Sequence, residues 1–304
     1  MLNDISADHP KLDPDNALRS NLTKHLFRRI SAHNSILIGG GVLGAIVLMA
    51  LFAPLLAPHD PFSQDLSRRL LPPFWMEDNN PKHILGTDNL GRDYLSRLIY
   101  GAQISLMIGV CTAIISGIIG SALGITAGYF GGRIDAVITF IITTRLSMPI
   151  VLVALAVVAL VGGSLHAVIL VLGFLLWDRY AVVMRSATQQ ARNMDYVSAA
   201  RAIGCPTWRV VLSEIFPNVV NNLIVIATFE VAHAILLEAS LSFLGLGVQP
   251  PDPSWGLMIA EGKEFLLFDP WVITIPGIAL SILVLAVNML GDGIRDVSAP
   301  ENRN

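Results

Sequence analysis

Hydrophobic positions in this chain come in long unbroken blocks, not in alternation with polar ones. Apolar runs cover residues 35–57, 104–129, 134–161, 165–184, 218–241 and 270–290. Each has roughly the 20 residues a helix needs to cross a bilayer, and a helix satisfies its own backbone polar groups there. The pattern predicts an all-α integral membrane protein with six transmembrane helices. Residues 1–34 form a polar leading segment, 35–57 the first span and 58–103 an outer loop. Residues 104–291 are a core of five spans that includes a polar loop at 185–217, and 292–304 are a polar tail. A cleavable signal has a shorter apolar core, so the first span is read as retained. Gly162, Gly163 and Ser164 supply the tight turn between the third and fourth spans.

Basic residues orient this arrangement. The segments on the side of the termini hold Lys11, Arg19, Lys24, Arg28, Arg29, Arg133, Arg145, Arg179, Arg185, Arg192, Arg201, Arg209, Arg295 and Arg303. The opposite loops hold Arg68, Arg69, Lys82, Arg92, Arg97 and Lys263. An excess of Lys and Arg marks the cytoplasmic side, which places both termini in the cytosol.

Composition narrows the chemistry. Only 14% of the 304 residues are charged, against about 25% in soluble domains. A net charge of −3 implies no nucleic-acid partner. Cys111 and Cys205 fall in a span and a cytosolic loop and frame no disulfide. The chain has no phosphate-binding loop pattern around Lys11, Lys24, Lys82 or Lys263. It shows no catalytic constellation and no clustered His/Cys set of metal-ligand spacing. Energy for any transport must come from an ion gradient or from another chain.

The loop at 195–217, DYVSAARAIGCPTWRVVLSEIFP, is richer than a connector requires. It reads as two short amphipathic helices joined at Gly204, Cys205 and Pro206. Asp195 suits an N-cap, Gly204 a left-handed C-cap, and Pro206 the first turn of the second helix. Val210, Val211, Ile215 and Phe216 share an apolar face, with Arg209 and Glu214 more exposed. A helix pair lying on the membrane surface and a docking surface for a partner both fit these residues.

This segment resembles the EAA loop of bacterial ABC-importer permeases: Ala199, Ala200, Gly204 and Pro217 stand at the motif positions, while Ser198 replaces its Glu and Phe216 its Leu. The run from His83 to Asp93, HILGTDNLGRD, is similar to a signature of the peptide/nickel branch, specifically its C-type permease. So are EASLSFLGLG from Glu238 to Gly247, PSWG from Pro253 to Gly256, and GDGIRD from Gly291 to Asp296. The third span departs from that family: Phe140 and Thr143 stand where it carries an Arg and an Asp, and Arg145 lies nearer Pro149.

The resemblance implies a multi-pass permease subunit in a bacterial inner membrane, itself not an enzyme and binding no cofactor. Its implied partners are a second paralogous permease, two ATP-binding subunits that bind ATP and Mg, an extracytoplasmic solute-binding protein and membrane lipid. Ser198, Ala199, Ala200, Arg201 and Gly204 would meet the ATP-binding subunits as a coupling helix. Peptide is the implied cargo, with nickel or another small solute as alternatives.

Three features stay open at this point. Thr112, Ser116, Gly120, Gly124 and Gly128 form a ladder of small residues that permits close helix contact, within this bundle or against a second permease. Glu230 and His233, three apart, share a helical face and are within reach of a mutual hydrogen bond. They line the pathway, form a satisfied polar pair between helices, or serve as the proton relay of an ion-coupled secondary transporter. Pro149 is expected to kink the third span.

Overall fold

The structure is a computed structural model, and it describes residues 33–298. The basic residues Lys11, Arg19, Lys24, Arg28, Arg29 and Arg303 lie outside them. Among the described residues all regular structure is helical. Five helices are long and apolar enough to span a membrane, and a sixth span arises if a pair bent by 86° is counted as one.

Helix α1 (Asn34–Leu51) stops at Phe52 and resumes as the short α2 (Ala53–Leu56), because Pro54 has no N–H to continue the ladder. Glycine brings α1 against the last helix: a Cβ on Gly39 would lie 2.8 Å from the Ala286 carbonyl oxygen. The next helix, α3 (Tyr94–Phe130), begins ten residues ahead of its apolar run at 104. Asp93 sets that start by accepting the Ser96 N–H at 2.9 Å. Residues 94–103, expected in the loop, therefore form the first turns of a helix about 55 Å long.

The third span is two helices, α4 (Gly132–Leu146) and α5 (Ile150–Val161), bent at Pro149, which caps α5 in an extended conformation. Arg145 crosses this break and donates to the Leu175 carbonyl at 2.7 Å. That carbonyl ends α6 (Leu165–Leu175), where the fourth span is itself interrupted at Leu176 before α7 (Trp177–Arg192). Two helix breaks thus sit side by side, joined by one guanidinium. Ser164 caps α6 after the glycine turn.

The small-residue ladder packs within the chain. A Cβ on Gly124 would lie 2.5 Å from the Ala181 carbonyl oxygen and 2.9 Å from Met184 Cβ. One on Gly128 would lie 2.7 Å from the Arg185 carbonyl oxygen. The α7 face they meet carries Tyr180, Ala181, Met184 and Thr188, all buried. Dispersion at this backbone-to-backbone distance replaces the hydrophobic drive that lipid cannot provide. The remaining elements are α8 (Asp195–Ala202), α9 (Thr207–Arg209), α10 (Phe216–Phe243), α11 (Trp255–Gly262) and α12 (Trp271–Ser298). Outward faces stay apolar, with Ile118, Phe140, Leu152 and Leu160 all exposed, as lipid or another membrane chain requires.

Candidate functional site

The elbow begins with α8, whose N-cap is Met194. Asp195 is the first helical residue and makes no cap hydrogen bond, contrary to the expected N-cap role. Its carboxylate still favours the positive helix end. The other end matches expectation. Gly204 has φ +81°, the Cys205 N–H donates to the Ala200 carbonyl at 3.1 Å, and the Gly204 N–H donates to the Arg201 carbonyl at 3.0 Å. These two bonds define a Schellman cap.

The expected second short helix is instead the start of a long one. Pro206 sits outside it as the N-cap, and the helical path from Thr207 runs through a π-turn (Val210–Ile215) into α10. A π-turn admits one extra residue, here just ahead of Pro217, which cannot donate to an α-helical carbonyl. Asn218 Nδ2 donates instead to the Glu214 carbonyl at 2.6 Å. The second half of the elbow and the fifth span therefore form one continuous helical body, Thr207–Phe243.

Val197, Ala200, Val210 and Ile215 point inward onto Tyr129, Met184, Ala187 and Ala191. Ala200, expected at the partner surface, packs into the chain's own core with 9% of its surface exposed. Ser198, Ala199, Arg201 and Gly204 are exposed. Arg201 also lies over the Tyr129 ring, 4.8 Å from its centroid, which ties α8 to the end of α3. Sequence reading passed over Ile203 and Trp208, which are 81% and 66% exposed at the elbow tip. Their apolar character inside a polar loop was the available signal.

Glu230 is fully buried on α10, and its partner is Arg179 of α7, with Nη1 3.3 Å from Oε1. The expected bond to His233 is absent from the described contacts; His233 is half-buried one turn away. Arg179, about half exposed, reaches in from the surface of α7 to meet the buried Glu230 carboxylate. Beside this pair a groove of about 530 Å³ runs between α3 and α10, lined by apolar groups including Ile114, Ile118, Leu212, Phe216 and Leu223.

At the opposite end the LGTDNLGRD segment closes on α11. Arg92 Nε donates to Asp88 at 2.6 Å, and Arg97 Nη1 donates to both Asp88 and Glu261, the latter at 2.8 Å. Arg92 Nη2 reaches Glu261 at 3.3 Å. Asp88, Arg92 and Arg97 are buried, so two guanidiniums and two carboxylates neutralise one another away from water. Trp255 of the PSWG segment donates from Nε1 to the Leu98 carbonyl at 2.8 Å, packed on Gly101. Buried Glu238 accepts from Ser242 and Ser254.

A bundle of spans with an amphipathic elbow fused to one of them is the architecture of a transporter's membrane subunit. The chain belongs to the family described as binding-protein-dependent transport system inner membrane component, whose model matches residues 120–304. Residues 21–73 match the N-terminal TM domain of oligopeptide transport permease C. It is therefore a multi-pass inner-membrane permease of an ABC importer. Among its relatives, the di/tripeptide transport system permease protein DppC of Pseudomonas aeruginosa is 40% identical over 296 residues, 97% of each chain. The dipeptide transport system permease protein DppC of Escherichia coli K12 is 40% identical over 91% of each chain. The fold is also that of an inward-facing MetNI methionine ABC transporter structure, with a TM-score of 0.56 at 18% identity. That match covers 67% of this chain and 98% of the other.

Proposed function

We propose that this permease forms half of a translocation pathway for di- and oligopeptides and couples it to ATP hydrolysis in partner subunits. The continuous helix from Thr207 to Phe243 carries this reading. A push at Trp208 reaches the fifth span within one helix, and a push on α8 reaches that helix through the short turn at 204–206 and α7 through the two residues Asn193 and Met194. Ser198, Ala199, Arg201 and Gly204, with Ile203 and Trp208, form the surface offered to an ATP-binding subunit, and helix-in-groove docking suits its apolar tip. Ala200 supports that surface from beneath.

The groove between α3 and α10 suits a second, paralogous permease, with the pathway between the two chains. The end built around Asp88, Arg92, Arg97 and Glu261 faces the solute-binding protein, and both termini lie in the cytosol. The chain is non-catalytic and holds no cofactor, while ATP and Mg belong to the partner subunits. Peptide cargo rests on the naming of the relatives. The pair of buried Glu230 with Arg179 serves as an interhelical tie in this scheme rather than as a proton relay.

The deciding experiment is gentle purification of the tagged chain from its own membranes, with mass spectrometry of the co-purifying proteins. Recovery of a second permease and two ATP-binding chains, abolished by Ile203→Asp with Trp208→Ala, is the expected result. Recovery of the chain alone, with dipeptide uptake that collapses on adding an uncoupler at constant ATP, would overturn the proposal in favour of ion coupling.

A further inference from the structure

Sequence spacing pointed to no metal site, yet the fold gathers three ligand-type side chains from separate segments of the outer end. His59 follows α2, His83 lies in the loop, and Asp93 caps α3. The two imidazoles are neighbours, with ring centroids 4.8 Å apart. Both direct Nδ1 at the same carboxylate oxygen, Asp93 Oδ1, at 2.8 Å from His83 and 3.4 Å from His59. The carboxylate is held in place for this. Its other oxygen, Oδ2, accepts from the Ser96 N–H at 2.9 Å and from Ser96 Oγ at 2.7 Å. Ser96 Oγ also accepts the His59 N–H at 3.1 Å, which pins that histidine's backbone to the same turn.

We propose that His59, His83 and Asp93 form a divalent-cation site of the zinc class, built from two imidazole nitrogens and one carboxylate oxygen. Zinc binds such atoms at about 2.1 Å in a tetrahedron, which sets the ligand atoms about 3.4 Å apart. The His59–Asp93 separation already has that value. Closing the set needs only small ring movements, and His59 lies at the surface with its side chain 38% exposed, so it is free to make them. Without a cation the His83 ring hydrogen-bonds that oxygen and the His59 ring stands beside it at 3.4 Å; with one, each of the three atoms has its own bond to the metal. The Ser96 contacts to Asp93 supply the outer hydrogen bonds that orient a metal-binding carboxylate. His83 and Asp93 are buried while His59 is exposed, which leaves the fourth position toward water, as in three-ligand zinc sites. The bound ion would staple both ends of the loop between His59 and Asp93 to the start of α3.

The test uses the full chain, with any co-purifying partners, in lipid nanodiscs after treatment with a chelator. Co²⁺ is titrated as the probe while its visible absorption is followed, and Zn²⁺ is then added in competition. One equivalent of tetrahedral Co²⁺ per chain, displaced by Zn²⁺, is the expected result. His59→Gln and His83→Gln should each weaken binding by roughly 100-fold or more, and His166→Gln, on distant α6, should not. His59 is exposed, so its variant keeps the test valid should the His83 or Asp93 variants unfold. Absence of the tetrahedral spectrum, or binding unchanged in His59→Gln, would overturn the assignment.

Discussion

The two ends of this permease solve opposite problems. The LGTDNLGRD end is locked: Asp88, Arg92 and Arg97 are buried and cross-linked to Glu261. The elbow end presents surface: Ile203 and Trp208 stand exposed, and α8 is held to the bundle by Val197, Ala200 and the stacking of Arg201 on Tyr129. Moving any one of the charged groups at the locked end would leave a buried charge without its partner, so that end is stiff. A small helix on a few apolar contacts is easily displaced as a body. A machine driven from one side needs both, a fixed frame and a movable handle.

The sharpest way to break the comparison is at the locked end. Arg97→Ala removes one of two guanidiniums from a buried network and leaves Arg92 alone against Asp88 and Glu261, which costs about 3–5 kcal/mol. The chain should fail to give a monodisperse peak in detergent, and a well-folded variant would show that this network is no frame. Gly124→Leu drives a side chain into the Ala181 carbonyl and Met184, for an overpacking cost of about 1–3 kcal/mol. Its melting temperature should drop clearly, and an unchanged value would mean that α3 and α7 are less closely packed than described.

Smaller effects belong to the elbow. Gly204→Val places a β-branched residue at φ +81°, with open space around its Cβ, so only backbone strain of about 1–3 kcal/mol is incurred. Insertion should be normal while ATP-driven uptake falls several-fold; full uptake would remove the cap from the coupling scheme. Ile203→Asp with Trp208→Ala touches only exposed atoms and should move stability by less than about 0.5 kcal/mol. Loss of the ATP-binding chains from that variant, at an unchanged melting temperature, would separate a docking surface from a folding one.

Much of this was legible along the chain. The glycine that ends α8 follows from the left-handed cap that only Gly adopts without strain, and the break at Pro149 follows from its missing N–H. Helix ends were less legible: α3 starts at Tyr94 because a loop covers its polar first turns, and burial of that kind leaves no apolar period to read. The elbow's second helix was expected to be short, whereas the π-turn ahead of Pro217 lets it run on into the fifth span.

The sequence by itself determined the class of protein, the number and order of its apolar spans, and the position of the elbow. These follow from local rules, the length of an apolar run and the backbone preferences of Gly and Pro. Tertiary structure alone decided who meets whom. Glu230 pairs with Arg179 from 51 residues away, not with His233 three positions on, and Glu261 closes on Arg97 across 164 residues. Such partners are chosen because a buried charge must find its counter-charge wherever packing brings one, and no spacing along the chain records that choice.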